Sequence, residues 1–229
     1  MAIGFGLAVG TYWIRRRMLR WGATREEALD RSPATGLIPG GIRGSTMATT
    51  IAAPPSRVWP WLVQMGFDRA GWYSWDRLDR SGIPSSSTLH PEWQSLSLGQ
   101  RLRADPKGKH WFEVAALEPE RFLALRAAMT LAGRQYDSAS ARPRHFTDGF
   151  WAFELKALPD DRTRLVVTTH GATRPRWFGR LAGLLFWEPA HWIMQTRQFK
   201  NLKRRAERPA TERPDRGRTT APNTPQERC

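Results

Sequence analysis

The chain has 229 residues, 40 % hydrophobic and 11 % aromatic, with twelve tryptophans, which suffices for one sizeable core and one domain with short additions. Its one cysteine, Cys229, excludes an internal disulfide framework and a cysteine-based metal site within the chain. The formal charge of +15 gathers at the ends, +5 over residues 15–25 and +4 over 203–229, so the charge would attract anionic membrane surfaces or nucleic acid, against the plain alternative of solvated arginines.

The opening "MAIGFGLAVGTYWI" is apolar to Ile14, and Arg15, Arg16, Arg17 and Arg20 follow. Fourteen apolar residues fall short of the roughly 20 that span a bilayer as a helix. The charge follows the apolar run, whereas a signal peptide carries it in front. Three placements fit residues 1–22: an interfacial helix with Trp13 and Trp21 at headgroup depth, the tail of a spanning helix whose start lies outside this sequence, or a helix packed on the body of the protein. Gly6 and Gly10 form a GxxxG, a packing signal in apolar segments. The expected location is the cytoplasm, peripheral to or anchored in the inner membrane; the lack of disulfides fits a reducing compartment.

Residues 23–43 hold a short helix and a linker. Thr24 and Glu27 have the spacing of a capping box, and "GLIPGGIRG" is a connecting loop. From Ser45, "STMATTI" alternates as a strand ended by Pro54-Pro55. "PSRVWPWLVQMG" is a helix with Val58, Leu62 and Met65 on one stripe, ending at Gly66. In "RAGWYSWDRLD", Ser74 is the expected cap of a helix to about Asp79, with Asp76 near its positive end. Trp72 and Tyr73 precede that cap and are expected to turn inward.

A meander of strands follows: "GQRLRAD", "HWFEVAAL", "FLALRAAMTL", "FWAFELKAL" and "TRLVVTTH". Trp151, Phe153 and Leu155 share one face, and "PDDR" supplies a hairpin turn. Residues 133–147, rich in Gly, Ser, Ala and Arg, are expected to be a mobile loop. The last element is a long helix opened by Pro189 in its first turn, with Glu188 offsetting the dipole. Trp192, Phe199, Leu202 and Ala206 lie on one stripe. Residues 209–229, with four prolines and no aromatic, are expected to be a disordered tail. Antiparallel strands with one apolar face need a cover. The long C-terminal helix is the available one, so the expected fold class is α+β, a curved antiparallel sheet gripping that helix, with two short helices after the first strand.

The pieces "TIAAPPSRVWPWLVQMGFDRAGWYSWDRLD", "PEWQSLSLGQ", "EVAALEPERFLAL", "FWAFEL", "TRLVV" and "EPAHWIMQTRQFKNLKRRAE" resemble the START-like, or SRPBCC, superfamily, nearest to the bacterial proteins labelled polyketide cyclase/dehydrase and lipid transport. The resemblance covers about residues 44–208. It implies a helix-grip domain with an internal hydrophobic cavity and no single activity, since such relatives carry lipids, bind small apolar molecules or cyclise polyketides.

Chemistry-bearing residues are sparse. Glu188 and His191 have the Glu-x-x-His spacing of di-iron bundles without a second pair. The plain alternative is a helix-end carboxylate and a satisfied, partly buried ring. His90 and Glu92 could act as acid and base if they lined the cavity. Tyr73, His90, Glu92 and His110 are the candidates for acid/base work. No GxSxG elbow, P-loop, dinucleotide fingerprint or HExxH is present, so no cofactor and no metal are called for. The first expectation is a binding module that holds a lipid- or polyketide-like ligand between Trp72, Tyr73, Trp151, Phe153 and Trp192. The alternative is a cyclase/dehydratase using acid/base groups in the same cavity. Specific nucleic-acid binding ranks last, because the rings lie on apolar stripes rather than beside exposed arginines.

Overall fold

The structure is a computed structural model that describes residues 2–208, with side chains from residue 11 onward. The expected tail at 209–229 and the side-chain environment of the GxxxG lie outside the described residues. Six strands form one antiparallel sheet: β1 Ile42–Ile51, β2 Arg101–Arg103, β3 Trp111–Glu118, β4 Phe122–Thr130, β5 Phe146–Leu158 and β6 Arg162–Arg174. Their order is β1-β6-β5-β4-β3-β2. Strands β2 to β6 are therefore a plain meander, and β1 closes onto the last strand. Between β1 and β2 lie the predicted short helices.

The helices are α1 Ala2–Leu19, α2 Arg25–Leu29, α3 Pro55–Val63, α4 Asp76–Asp79, α5 Arg176–Ala182 and α6 Glu188–Ala206. A π-helical stretch, Gly183–Trp187, joins α5 to α6 into one rod of 31 residues. With the sheet on one side of that rod and the short helices after β1, the fold is helix-grip.

The sheet buries both faces. Phe153, Leu155, Leu165, Val167, Met47 and Ile51 face α3 and α6, where they meet Val58, Leu62, Phe199 and Leu202. This is the period-2 stripe of β5 and β6 meeting the helical stripe of α6. On the opposite face Phe122, Ala124, Phe150 and Ala152 are covered by Ala34 and Ile38. The 3₁₀ turn Pro33–Leu37, capped by Ser32, brings that cover into place. The capping box of α2 forms as expected, with Thr24 Oγ1 accepting from Glu27 N at 3.2 Å and Glu27 Oε2 accepting from Thr24 N at 2.8 Å. Glu27 also takes Arg164 of β6 in a bidentate pair at 2.8 Å, which pins α2 to the sheet.

Four local expectations are corrected. Helix α4 is capped at Trp75 and not at Ser74, while Asp76 stands in its first turn as expected and also accepts from Ser85 N and Oγ. The helical rod starts at Arg176, thirteen residues before Pro189. Proline lacks an N–H and crowds the preceding turn, and the widened π turn just upstream absorbs it, with Glu188 N–H bonded to Gly183 O. Glu188 is therefore inside the rod, where Arg15 takes it at 2.6 and 2.8 Å. Finally, residues 133–147 are laced to the sheet. Gln135 exchanges two hydrogen bonds with the Trp111 backbone, Ser138 donates to Glu113, and Arg142 and Arg126 both pair with the fully buried Asp148 at 2.8 Å.

Candidate functional site

Aromatic rings from several segments touch one another beneath the start of α6. Trp72 meets Phe112 at 5.3 Å between centroids and Trp151 at 6.0 Å. Trp151 meets Phe153 at 4.6 Å, Phe112 at 6.1 Å and His191 at 6.5 Å. Such offset and edge-on pairs are favourable beyond the area they bury. The sheet supplies Phe112 from β3 and Trp151 from β5, and α6 supplies His191 and Trp192. The segment after α3 supplies Trp72. Trp72, Tyr73 and Phe153 are buried, whereas Phe112, Trp151 and Trp192 pack on the same core and stay half-buried. The interior is therefore closed at the α3 end and only partly covered where α6 begins.

Polar groups sit inside this apolar site. Trp151 Nε1 donates to Gln195 Oε1 at 3.0 Å, Gln195 Nε2 to Gln198 Oε1 at 2.8 Å, and Gln198 Nε2 to the Trp72 carbonyl at 2.8 Å. A relay of two glutamines thus joins the sheet, the helix and the loop. By contrast, His191 Nε2 and Trp192 Nε1 are shut off from solvent with no hydrogen-bond partner. Burial lowers the His191 pKa to about 4, so the ring is neutral at neutral pH. The expected satisfied histidine is thus an unsatisfied one. Leaving a buried donor or acceptor unpaired costs about 1–3 kcal/mol, and such atoms are where a ligand's polar group would be rewarded.

Tyr73 plays a different part from the cavity wall expected of it. It is a fully buried residue with φ of 58°, a left-handed conformation that bulky residues rarely take. Its surroundings hold it there on every side. Its N–H donates to Ser85 Oγ, its carbonyl accepts from Asn201 Nδ2 at 2.7 Å, its hydroxyl accepts from Gln64 Nε2 at 2.8 Å, and Arg205 lies 4.8 Å over the ring. Desolvation pushes the phenol upward, out of the range useful for proton transfer. Tyr73 is an anchor that joins α3, the 85–90 loop and α6.

The remaining acid/base candidates lie in loops and strand ends. His110 bridges two turns, with Nδ1 on Asp105 at 2.9 Å and Nε2 on the Gly133 carbonyl at 2.9 Å. His90 and Glu92 do meet, at 3.3 Å, and His90 Nε2 lies 2.8 Å from Ser86 Oγ. The order hydroxyl, imidazole, carboxylate is that of a nucleophile, base and orienter. The Ser86 hydroxyl, however, is spent on its own turn, donating to Thr88 O and accepting from Thr88 N, and His90 packs at a tilt against Trp93. This cluster closes a loop.

Sequence reasoning passed over Gln64, Gln195, Gln198 and Asn201, all buried. A signal was present: Gln195 stands three residues after Trp192 and four before Phe199, on the apolar stripe itself. Two concavities stand out among the described residues, and both are superficial. One of about 430 Å³ lies at the β3–β4 and β5 strand ends, between Glu118, Arg121, Glu154 and Lys156. One of about 490 Å³ lies against α1, lined by Trp13, Arg16, Arg17, Arg20, Trp21 and Gly22.

No family model and no curated protein matches the chain. Among solved structures, protein MLL2253 from Mesorhizobium loti is 19 % identical over 71 % of this chain and 96 % of its own, with a TM-score of 0.38. Protein jhp0584 from Helicobacter pylori is 15 % identical over 76 % of this chain and 94 % of its own, at 0.44. DynU16, from the dynemicin biosynthetic locus, is 17 % identical over 71 % of this chain and 46 % of its own, at 0.38. All three scores fall below 0.5, and the fold assignment rests on strand order and helix placement.

Proposed function

We propose that the protein binds a small apolar or aromatic ligand, lipid- or polyketide-like, where Phe112, Trp151, His191 and Trp192 meet under the start of α6, in the manner of a START-like binding module. The observation that carries this reading is the pair of buried, unpartnered nitrogens, His191 Nε2 and Trp192 Nε1, set among half-buried rings. The rings would supply burial energy at roughly 25 cal/mol per Å², and the two nitrogens would orient one polar group of the ligand. Entry requires the half-buried rings to part, because they touch one another between sheet and helix. The cyclase/dehydratase alternative draws no support from the positions of Tyr73, His90, Glu92 and His110.

The test is a titration with the fluorescent probe 1-anilinonaphthalene-8-sulfonate, alongside native mass spectrometry of gently extracted protein for co-purified small molecules. Saturable probe binding should weaken by roughly tenfold in Trp151→Ala and stay unchanged in Leu98→Ala, on an exposed loop before β2. Equal binding by both variants would remove the site from this position.

A further inference from the structure

Among the described residues, a run of exposed apolar side chains lies outside that site, where the rod begins. Trp177, Phe178, Leu181, Leu184, Leu185, Phe186 and Trp187 are all exposed, Leu185 at 70 % and Trp187 at 64 %. Tyr12, Trp13 and Ile14 on α1 are exposed as well. The bidentate Arg15–Glu188 pair joins the two segments at their junction, since Glu188 directly follows Trp187. Contiguous apolar exposure of this kind marks a surface made to be covered.

The charge around it decides what covers it. Residues 11–22 carry Arg15, Arg16, Arg17 and Arg20, residues 174–187 carry Arg174, Arg176 and Arg180, and neither stretch contains an acidic residue. The 490 Å³ groove on α1 is walled by three of these arginines and two tryptophans, with the Arg16 guanidinium 5.8 Å from the Trp13 ring. Arginine beside tryptophan at the rim of an aliphatic and aromatic patch matches the interfacial layer of a bilayer: phosphate for the guanidinium groups, headgroup depth for the indoles, acyl chain for the leucines. No helix is long and apolar enough to cross a membrane among the described residues. The chain's own tail, residues 209–229, offers no aromatic, and its four arginines and three acidic residues leave a net charge of only +1, too little to complement the basic rim.

We infer that α1 and the α5–π segment together form a docking surface for an anionic lipid bilayer, on which the protein lies with the π turn inserted and the α1 arginines on lipid phosphates. This reading uses residues distinct from the ring cluster under α6, so either can fail without the other.

The experiment is co-sedimentation of the full chain with vesicles of phosphatidylcholine, with and without phosphatidylglycerol. Binding should need phosphatidylglycerol and weaken as salt is raised. The pair Leu185→Glu and Phe186→Glu, both at exposed positions, should abolish it. The pair Arg16→Glu and Arg17→Glu should weaken it by roughly tenfold or more. Leu98→Glu, exposed beside the far edge of the sheet, should bind like the parent. No vesicle binding, or binding that both patch variants leave intact, overturns the inference. So does a dimer in sedimentation velocity that the Leu185/Phe186 variant dissociates while vesicles bind neither form; the surface would then belong to a second copy of this chain.

Discussion

Two buried ionisable groups pull stability in opposite directions with pH. His191 has its pKa lowered to about 4 by burial, below the ordinary 6.5. The unfolded chain therefore holds more protons between those values, and stability falls as pH drops from about 6.5 toward 4. Asp79 is the reverse case. Burial, then repulsion from Asp76, raises its carboxyl to about 6; its stability contribution is present at low pH and is lost as pH rises through about 6. Asp79→Asn should therefore be more stable than the parent at neutral pH, with the advantage fading toward pH 4. His191→Gln should gain on the parent as pH falls from 6.5 to 4. Urea melts of the three proteins across this range check both signs, and parallel profiles would refute them. Neither effect was legible in the chain, because the burial of Asp79 and of His191, which meets Trp151 of β5, is settled only when the elements pack.

At the scale of elements, the N-terminal segment shows how one backbone position can decide a docking. Trp21 stacks on Phe199 of α6 at 5.9 Å, its carbonyl accepts from Ala48 N on β1 at 3.0 Å, and the Gly22 carbonyl accepts from Arg164. Gly22 has a φ of +70°, and a Cβ there would stand 2.1 Å from the Ala48 carbonyl oxygen. Gly22→Ala should therefore cost about 2 kcal/mol, from left-handed strain and lost close approach, and should loosen α1 from α6. A chemical denaturation midpoint unchanged within error would count against it. The sequence marked residues 1–22 as a separate piece, open between membrane and body. Backbone packing around Gly22 ties its end to the body, a contact invisible in a segment whose partners lie far along the chain.

At the scale of the molecule, the sheet–rod interface carries the fold. Trp72 is 4 % exposed and packed on Phe112 and Trp151, and its carbonyl holds Gln198. Trp72→Ala should cost roughly 3–5 kcal/mol and weaken the ring cluster, while Arg204→Ala, exposed on the outer side of α6, should change stability by under about 0.5 kcal/mol. Thermal melts compare the two directly; equal midpoints would show that the interface does not depend on this indole. The same interface explains why an open cavity was expected while the rings between sheet and rod are found touching one another. Alternation along β5 and the stripe on α6 say which rings point inward, but the distance between sheet and rod decides whether they leave room or meet.

The strands, their faces, the capping box at Thr24 and the inward stripe of α6 were determined by the sequence itself, because periods of 2 and 3.6 residues and cap chemistry are local properties. The tertiary structure alone decided the rest. It merged α5 and α6 across Pro189, turned Tyr73 from a wall into an anchor, lined Gln195 and Gln198 into a relay, and left His191 Nε2 without a hydrogen-bond partner. Each of these depends on which side chains from distant segments arrive at the same place, and on how much solvent they exclude when they do.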